Sequence, residues 1–502
     1  MRAFIDNLAT KDMRWPAVII SCLFSLVVIA ANPIPNDDAF SYLRAAELFS
    51  QQGLNATLSA YGWYGYSVLI AIVSHVVPGD LVTSAHLVNT LAFALLIYVF
   101  ITLVAEFDAS PRVQVFATAV ILCYPTLNEM RFNLIRDFAY WGFCLAALVQ
   151  LIRYNRSGAL IHAGGWLLAM AAAVFFRLEG LLVLLASPVA LLLPGMRPVH
   201  DRLKLAGILL GIIAAGIVLI LLVFLAADVN LIEVFNFAYR WYLPLLADYP
   251  ETLAGAATSE SLSFHLSPEL EYFTGKGMPV LFAGYLYAVI SNLVMATGPA
   301  ASLFLGWSLW KFRPVLQVAC KAPWWSFLVS AMLALLIFVS IMQFLTTRYA
   351  VMAALLLLSL LPMCIEALYR RCVQINALAK FHAVFIACVV YFLVDSLFSF
   401  GYSKRYIEDA IAWTHDNIAI DSAVVTNNFA VAYYSGMVEN YDEVDPDPLM
   451  LLSAPQNSGY LVLDVDNDNS EAMSLLSQRS DLTEVARFAN RREDAVIIFR
   501  VN

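Results

Sequence analysis

Two adjacent carboxylates, Asp37 and Asp38, follow directly on the first long apolar run of the chain, in the string Asn-Asp-Asp-Ala-Phe-Ser-Tyr that begins at Asn36. A carboxylate at a membrane edge can deprotonate or orient a hydroxyl or an amine. The pair can also serve structure alone: Asn36 or Asp37 would cap a helix that follows, and the helix dipole favours the negative charge. A second charged set, Glu129, Arg131, Arg136 and Asp137, lies between two later apolar runs and is larger than a short turn needs. Arg177 and Glu179 flank Leu178 between two more runs, and Arg348 precedes Tyr349 at the start of a late one. Charges at membrane ends are often snorkelling anchors. All four sets fall on one side in the topology derived below, so carboxylates from two loops and several arginines could converge on one cavity.

Such a set suits transfer of a sugar from a lipid phosphate. A carboxylate activates the acceptor, and arginines take up the charge that gathers on the phosphate as the glycosidic bond breaks. Two carboxylates on separate loops could instead share a divalent cation. The aromatic string Tyr61-Gly62-Trp63-Tyr64 could stack on sugar faces; equally, it could form an interfacial aromatic belt.

These residues need a membrane scaffold to hold them. The chain of 502 residues is 61% hydrophobic and 13% charged, against roughly 45–50% and roughly 25% in a globular domain. Apolar runs of ~20 residues cross a bilayer core. About eleven are read here: 15–35, 80–105, 112–128, 137–153, 159–176, 179–194, 205–227, 279–310, 323–345, 349–367 and 380–400. The run 279–310 is too long for one upright helix and is expected to break near Gly298-Pro299. The segment 64–77 is short and flanked by aromatics, and reads as re-entrant or interfacial. The first run reads as a retained span, not a cleaved leader.

Orientation follows from the basic residues. Arg2, Lys11 and Arg14 place the N-terminus in the cytoplasm. Arg153/Arg156, Arg197/Arg202/Lys204, Lys311/Arg313/Lys321 and Arg370/Arg371 then fall on the same side. An odd number of spans puts the C-terminal region outside, and a bacterial inner membrane is the expected location. The expected organisation is a membrane region over 1–400, with outer loops 36–80 and 228–278, and a soluble region over 401–502.

The soluble region holds 17 Asp+Glu and 7 Lys+Arg, a balance of −10; the first 400 residues balance at +1. Acidity of this kind argues against a nucleic-acid partner. An amphipathic helix over 406–417 and buried strands over 423–425, 460–463 and 495–501 suggest a small α/β domain. The seven cysteines lie in or beside apolar runs and form no CxxC pair, so neither a zinc site nor a disulfide framework is indicated.

The order of these features resembles the GT-C superfamily of membrane glycosyltransferases, especially the branch of protein O-mannosyltransferases and aminoarabinose transferases. The first span is followed by Asp37-Asp38 and Tyr42. An amphipathic helix over 43–52 ends at Gly53, and an aromatic apolar segment follows over 62–77. Arg136-Asp137 sits in the second outer loop. Arg177-Leu178-Glu179-Gly180 resembles the family's Arg-Pro-Glu-Gly, Arg348-Tyr349 opens a late span, and a small soluble domain closes the chain. The resemblance implies an α-helical polytopic fold and a polyprenyl-phosphate-linked sugar donor. It implies a lipid, glycan or protein acceptor on the outer face. Carried over, Asp37 with Asp38 beside it is the acceptor carboxylate, and Asp137 or Glu129 is the second acidic residue. Arg131, Arg136, Arg177 and Arg348 are candidates for the donor phosphate; Tyr42, Tyr61, Trp63, Tyr64 and Glu179 are candidates for sugar or acceptor. Asp-Asp replaces the commoner Asp-Glu, and the second loop lacks the Asp-x-Asp by which oligosaccharyltransferases hold a metal. The expectation is therefore that no cofactor is required, with a divalent metal as the alternative.

Other classes make different demands. A transporter or flippase of lipid-linked sugars predicts ionisable groups at mid-span and broken helix pairs, whereas the charges here gather at span ends. A polysaccharide polymerase or ligase does not need carboxylates directly after the first span. A scaffold or receptor would rely on its tail alone.

Overall fold

The structure, a computed structural model, describes residues 12–61, 64–194, 197–226, 277–312, 317–397, 404–453 and 459–502. Helix α1 (Arg14–Ala31) leads into three helices of the first outer loop, α2 (Asp38–Gln52), α3 (Leu54–Ala60) and α4 (Tyr64–Val76). Next come α5 (Leu81–Phe107), α6 (Pro111–Leu122), α7 (Pro125–Glu129), α8 (Asp137–Ser157), α9 (Leu160–Phe176), α10 (Gly180–Leu192) and α11 (Val199–Ala226). The later membrane helices are α12 (Gly277–Thr297), α13 (Pro299–Phe312), α14 (Val318–Met342), α15 (Thr347–Leu358), α16 (Leu361–Gln374) and α17 (Leu378–Leu397).

Six described helices are long and apolar enough to cross a membrane: α1, α5, α11, α12, α14 and α17. There are seven if α15 and α16, bent by 40° at their junction, form one span. The chain is an integral multi-pass membrane protein. Its shorter apolar helices α6, α9 and α10 account for much of the gap from eleven. The run 112–128 breaks where Pro125 starts a new helix after Leu122, because proline cannot continue the preceding hydrogen-bond ladder. The run 279–310 breaks as expected: α12 ends at Thr297, Gly298 takes φ +88°, and Pro299 opens α13. Outer loop 228–278 lies almost wholly outside the described residues.

Helix α8 forms the centre. Its Phe138 ring lies 4.3 Å from Phe93 of α5, and Trp141 and, on α9, Trp166 are fully buried. By contrast, α11 presents Ile217, Leu219, Leu222 and Leu225 outward, as a bilayer-facing helix does. At the end carrying the basic residues, Glu106 of α5 bonds Arg153 and Arg156 of α8 at 2.6 and 2.9 Å. That pairing fixes the register of the two central helices.

The C-terminal region comprises α18 (Arg405–Asn417), β1 (Val424–Thr426), α19 (Phe429–Ser435), α20 (Pro448–Ser453), β2 (Gly459–Val465), α21 (Ser470–Gln478), β3 (Leu482–Ala489) and β4 (Ala495–Val501). The sheet order is β1-β2-β4-β3; β1 and β2 are parallel, and the β2–β4 and β4–β3 pairs are antiparallel. Alternation sends Leu461, Leu463, Ile497 and Phe499 to the face under α20 and α21, and Val462, Val496 and Ile498 to the face carrying Ile407 and Ala410 of α18. The core strand β4 matches the expected 495–501. Strand β3 was not expected: it is a bulged edge strand with most side chains in water, so it carries no apolar pattern to read. Gly459 is obligatory at the start of β2, since a Cβ there would sit 2.2 Å from the Ala423 carbonyl oxygen at φ +107°.

This α/β region packs on α2. Phe40 of α2 is fully buried, stacked on Phe429 with centroids 6.3 Å apart and tilted against Tyr433 at 5.5 Å. Beside it, Arg44 lies 3.8 Å from Asp442 and 5.8 Å from the centre of the Tyr441 ring.

Candidate active site

Asn36 fixes the entry to α2. Its Oδ1 accepts from the Leu134 backbone N–H at 2.7 Å, tying the segment before α2 to the segment before α8. The expected cap does not form: Asn36 is committed to Leu134, and Asp37, at the N-cap position, makes no side-chain cap bond. The Asp37 side chain is instead exposed, with no hydrogen bond or ion pair among the described residues. Asp38, in the first turn of α2, accepts from Arg348 Nη1 at 2.9 Å.

Each partner in the cluster stands at a helix end. Asp137 opens α8, Arg177 closes α9, Glu179 precedes α10, and Arg348 lies in the first turn of α15. Arg177 Nη1 donates to Asp137 Oδ1, and its Nη2 donates to Glu179 Oε1 at 2.5 Å. Arg348 Nε lies 3.6 Å from Asp137 Oδ2. Charges therefore alternate along Asp38, Arg348, Asp137, Arg177 and Glu179, from the exposed Asp38 to the fully buried Asp137. Arg177 is also boxed by the rings of Tyr349 and Tyr140, at 5.0 and 5.8 Å. Five side chains from four loops are thus fixed by one another, which is the preorganisation that a charge-stabilising site requires. The two carboxylates on separate loops, Asp38 and Asp137, share a guanidinium. Among the described residues no group of three His, Cys, Asp or Glu is placed to hold a metal ion.

A cleft runs from this cluster between α8, α14 and α15. Arg177 and Glu179 stand at its polar end; Trp141, Leu335, Phe338 and Met352 line its apolar length. Gly65 lets α4 close against the end of α9: a Cβ there would lie 2.5 Å from the Phe175 carbonyl oxygen.

The remaining candidates divide by place. Arg136 caps α8 beside Asp137, and its charge reaches Tyr42, Tyr61, Asp137 and Glu179. Tyr42 is buried edge-on to Tyr61 and Tyr66, at 5.6 and 5.0 Å. Tyr66 donates to Asn89 Oδ1 at 2.8 Å, and Asn89 Nδ2 donates to the Asn133 carbonyl at 2.6 Å, so Tyr42 rests on a braced floor. Tyr64 packs against Phe175, at 6.0 Å, away from the carboxylates. Trp63 lies outside the described residues.

Two candidates stand elsewhere. Arg131 is buried behind the site. Its Nη1 donates to the Ser21 carbonyl, Ser21 Oγ and Ser25 Oγ at 3.0, 3.1 and 2.9 Å, its Nε donates to Asn128 Oδ1 at 2.7 Å, and it lies 4.3 Å over the Phe93 ring. A guanidinium so engaged locks α1 to the turn before α8, and it is withdrawn from the donor-phosphate set. Glu129 is exposed at the end of α7, and the acidic neighbour it feels is Asp395 of α17, not Asp37 or Asp137.

The sequence reading missed Asn89, Asn428 and Asp464, and read Asn36 only as a helix cap. Asn427-Asn428 directly after one strand, and Asp464 at the end of the next, are a readable signal at the carboxyl ends of parallel strands.

No protein-family model matches the sequence, and no curated protein matches it. Among solved structures the chain is similar to ArnT from Cupriavidus metallidurans in the apo state. The TM-score is 0.52 and the identity 12%, over 97% of this chain and 98% of that one. The chain shares the fold of that structure. The oligosaccharyltransferase of Archaeoglobus fulgidus in the apo form gives a TM-score of 0.49 at 13% identity, over 85% of this chain and 64% of that one. At such low identity the likeness concerns the fold. In this fold the charged cluster joins the start of α2, the start of α8, the α9–α10 junction and the start of α15.

Proposed function

We propose that the chain is a glycosyltransferase that moves a sugar from a polyprenyl-phosphate donor to a lipid, glycan or protein acceptor on the outer face of the membrane. The observation that carries this reading is the convergence of Asp38, Arg348, Asp137 and Arg177, with the exposed Asp37 next to Asp38 in the chain. The N-terminus is cytoplasmic in this reading, about eleven spans cross the bilayer, and the α/β region lies outside.

The unpartnered Asp37 takes the acceptor proton. The acceptor oxygen or nitrogen attacks the anomeric carbon, the bond from that carbon to the phosphate oxygen breaks, and the electron pair leaves with the polyprenyl phosphate. Arg348 and Arg136 take up the charge gained by the leaving phosphate, a role suited to guanidinium. Arg177, held between two carboxylates and two rings, positions Asp137 and Glu179 and does not bind donor directly. Tyr42 packs beneath the reacting sugar. The arginines supply the charge stabilisation, so no cofactor is required in this reading.

The experiment is transfer from a panel of radiolabelled polyprenyl-phosphate sugars by the purified protein in detergent, wild type beside Asp37→Asn. Donor consumption by the wild type alone is the expected result. Equal consumption by the variant removes Asp37 from the mechanism, and no consumption of any donor by folded protein refutes the reading.

A further inference from the structure

The α/β region carries a carboxylate, Asp464, within electrostatic reach of Asp37. Asp464 is the penultimate residue of β2, beside the parallel strand β1, whose next residues are Asn427 and Asn428. Asn427 clamps the Asp464 backbone from both sides: its Nδ2 donates to the Asp464 carbonyl at 2.8 Å, and its Oδ1 accepts from the Asp464 N–H at 2.7 Å. Asn428 Nδ2 donates to Asp464 Oδ2 at 2.7 Å, and the Tyr406 hydroxyl reaches Oδ1 at 3.5 Å. A carboxylate offers about four acceptor positions, so this one is aimed but not saturated.

Its place follows from packing. Phe429, next to Asn428, stacks on Phe40, one turn into the helix that begins at Asp37-Asp38. The first turn of α2 and the end of β2 therefore face one another, and the charge of Asp37 reaches Asp464. Asp466 also acts on Asp464, with Lys404 as the opposing cation, and Asp494 and Asp466 bear on Tyr406. Across the gap Arg348 and Arg177 are ion-paired with Asp38, Asp137 and Glu179, and Arg136 stands beside Asp137. Excess negative charge thus gathers on the side where Asp37 meets the α/β region.

We propose that Asp464 is a specificity-determining residue for the acceptor: with Asp37 opposite, it selects an acceptor that brings hydrogen-bond donors and neutral or positive charge beside its nucleophile, and rejects one carrying phosphate there. This rests on the transferase reading above. An ammonium or hydroxyl group fills the free acceptor positions of Asp464, whereas a phosphate meets like charges from both sides, which costs affinity and gives selectivity by repulsion. Asp464 touches acceptor only, so donor use is independent of it.

The test uses the full-length protein in detergent, a polyprenyl-phosphate donor, and three matched acceptors: octyl glucoside, octyl glucosaminide and octyl glucoside 6-phosphate. Wild type is expected to use the first two at least about tenfold better than the third in kcat/KM, which is a difference of about 1.4 kcal/mol. Asp464→Asn is expected to raise acceptor KM about tenfold for the glucosaminide and to narrow the discrimination against phosphate. Its kcat and donor KM stay within about twofold of wild type, and Asp464→Glu restores part of the selectivity. Acceptor KM of the wild type rises as pH falls through about 6, where burial has raised the Asp464 carboxyl, and that limb is absent from Asp464→Asn. Equal use of the phosphorylated acceptor, or an unchanged acceptor KM and pH profile in a folded Asp464→Asn, overturns the proposal while leaving the transferase reading in place. Absence of donor consumption in every arm refutes both.

Discussion

Arg348 donates through Nη1 to Asp38 Oδ2 at 2.9 Å while its Nε lies 3.6 Å from Asp137 Oδ2. One guanidinium thereby joins the first outer loop to the start of α8. Removal of such a donor from a charge-stabilising site costs on the order of 10²–10³ in rate. Arg348→Ala is expected to lose that much in kcat/KM for the donor. Arg348→Lys recovers only part, because an ammonium cannot reach both carboxylates in one plane. Steady-state transfer at varied donor concentration checks this, and wild-type kinetics in Arg348→Ala would remove it from the site.

Asp37 and Asp38 are adjacent but differ in what holds them. Asp37 is exposed and has no side-chain partner among the described residues; Asp38 is paired to Arg348. Asp37→Asn is expected to lower transfer by roughly 10²–10⁴-fold, the range for a lost general base, with an unchanged unfolding temperature. Asp38→Asn is expected to lose less, about tenfold, mainly in donor KM through a freed Arg348. Parallel kinetics and thermal melts of both variants separate the roles; a larger loss in Asp38→Asn would exchange them.

The residues legible in the sequence were those placed by helix ends. Asp38, Asp137, Arg177, Glu179 and Arg348 all follow or precede an apolar run, and runs are easy to read. Their pairing was not legible, because it depends on which way a side chain turns at the helix end. Arg131 and Arg136 lie five residues apart in the same loop, yet Arg131 turns inward to Ser21 and Ser25 while Arg136 stands beside Asp137. Likewise β4 was readable because both its faces are buried, and β3 was not because most of its side chains are exposed and its ladder is bulged. Asp464 escaped notice because its importance comes from packing of Phe429 on Phe40, a contact between residues almost four hundred positions apart.

Arg177 sits between Asp137 and Glu179 with 5% of its surface exposed. Breaking a buried pair leaves an uncompensated charge and costs about 3–5 kcal/mol. Arg177→Ala is therefore expected to reduce the yield of folded protein sharply. Adding Asp137→Asn to it removes the stranded charge and is expected to restore part of the loss. Size-exclusion behaviour and thermal unfolding of the single and double variants check this; an additive double variant would mean that the two do not act as a pair.

The seat of the α/β region on α2 rests on Phe40. A buried Phe→Ala change costs about 3–5 kcal/mol, and here the loss falls on the contact with Phe429, Tyr433 and Tyr434. Phe40→Ala is expected to speed proteolytic release of the C-terminal region and to lower transfer. Limited proteolysis followed over time, with activity measured on the same samples, checks both. Unchanged cleavage would show that the polar contact of Arg44 with Asp442 suffices.

Burial, partly offset by the bond from Asn428, raises the Asp464 carboxyl from 3.8 to about 6. The unfolded chain releases that proton near 3.8, the folded chain near 6, so between these values the folded state binds more protons. Stability contributed by the protonated group is fully present below the unfolded value and is lost as pH rises through about 6. Asp464→Asn cannot ionise, so it keeps above pH 7 what the wild type loses there, at most about 3 kcal/mol by the usual conversion of pKa shift to free energy. The variant is therefore expected to unfold at a higher temperature than wild type at pH 8 and at the same temperature near pH 4. Melting of the full-length protein across that range, followed by tryptophan fluorescence, gives the comparison. A constant difference at all pH values would mean that the Asp464 carboxyl titrates at its ordinary value.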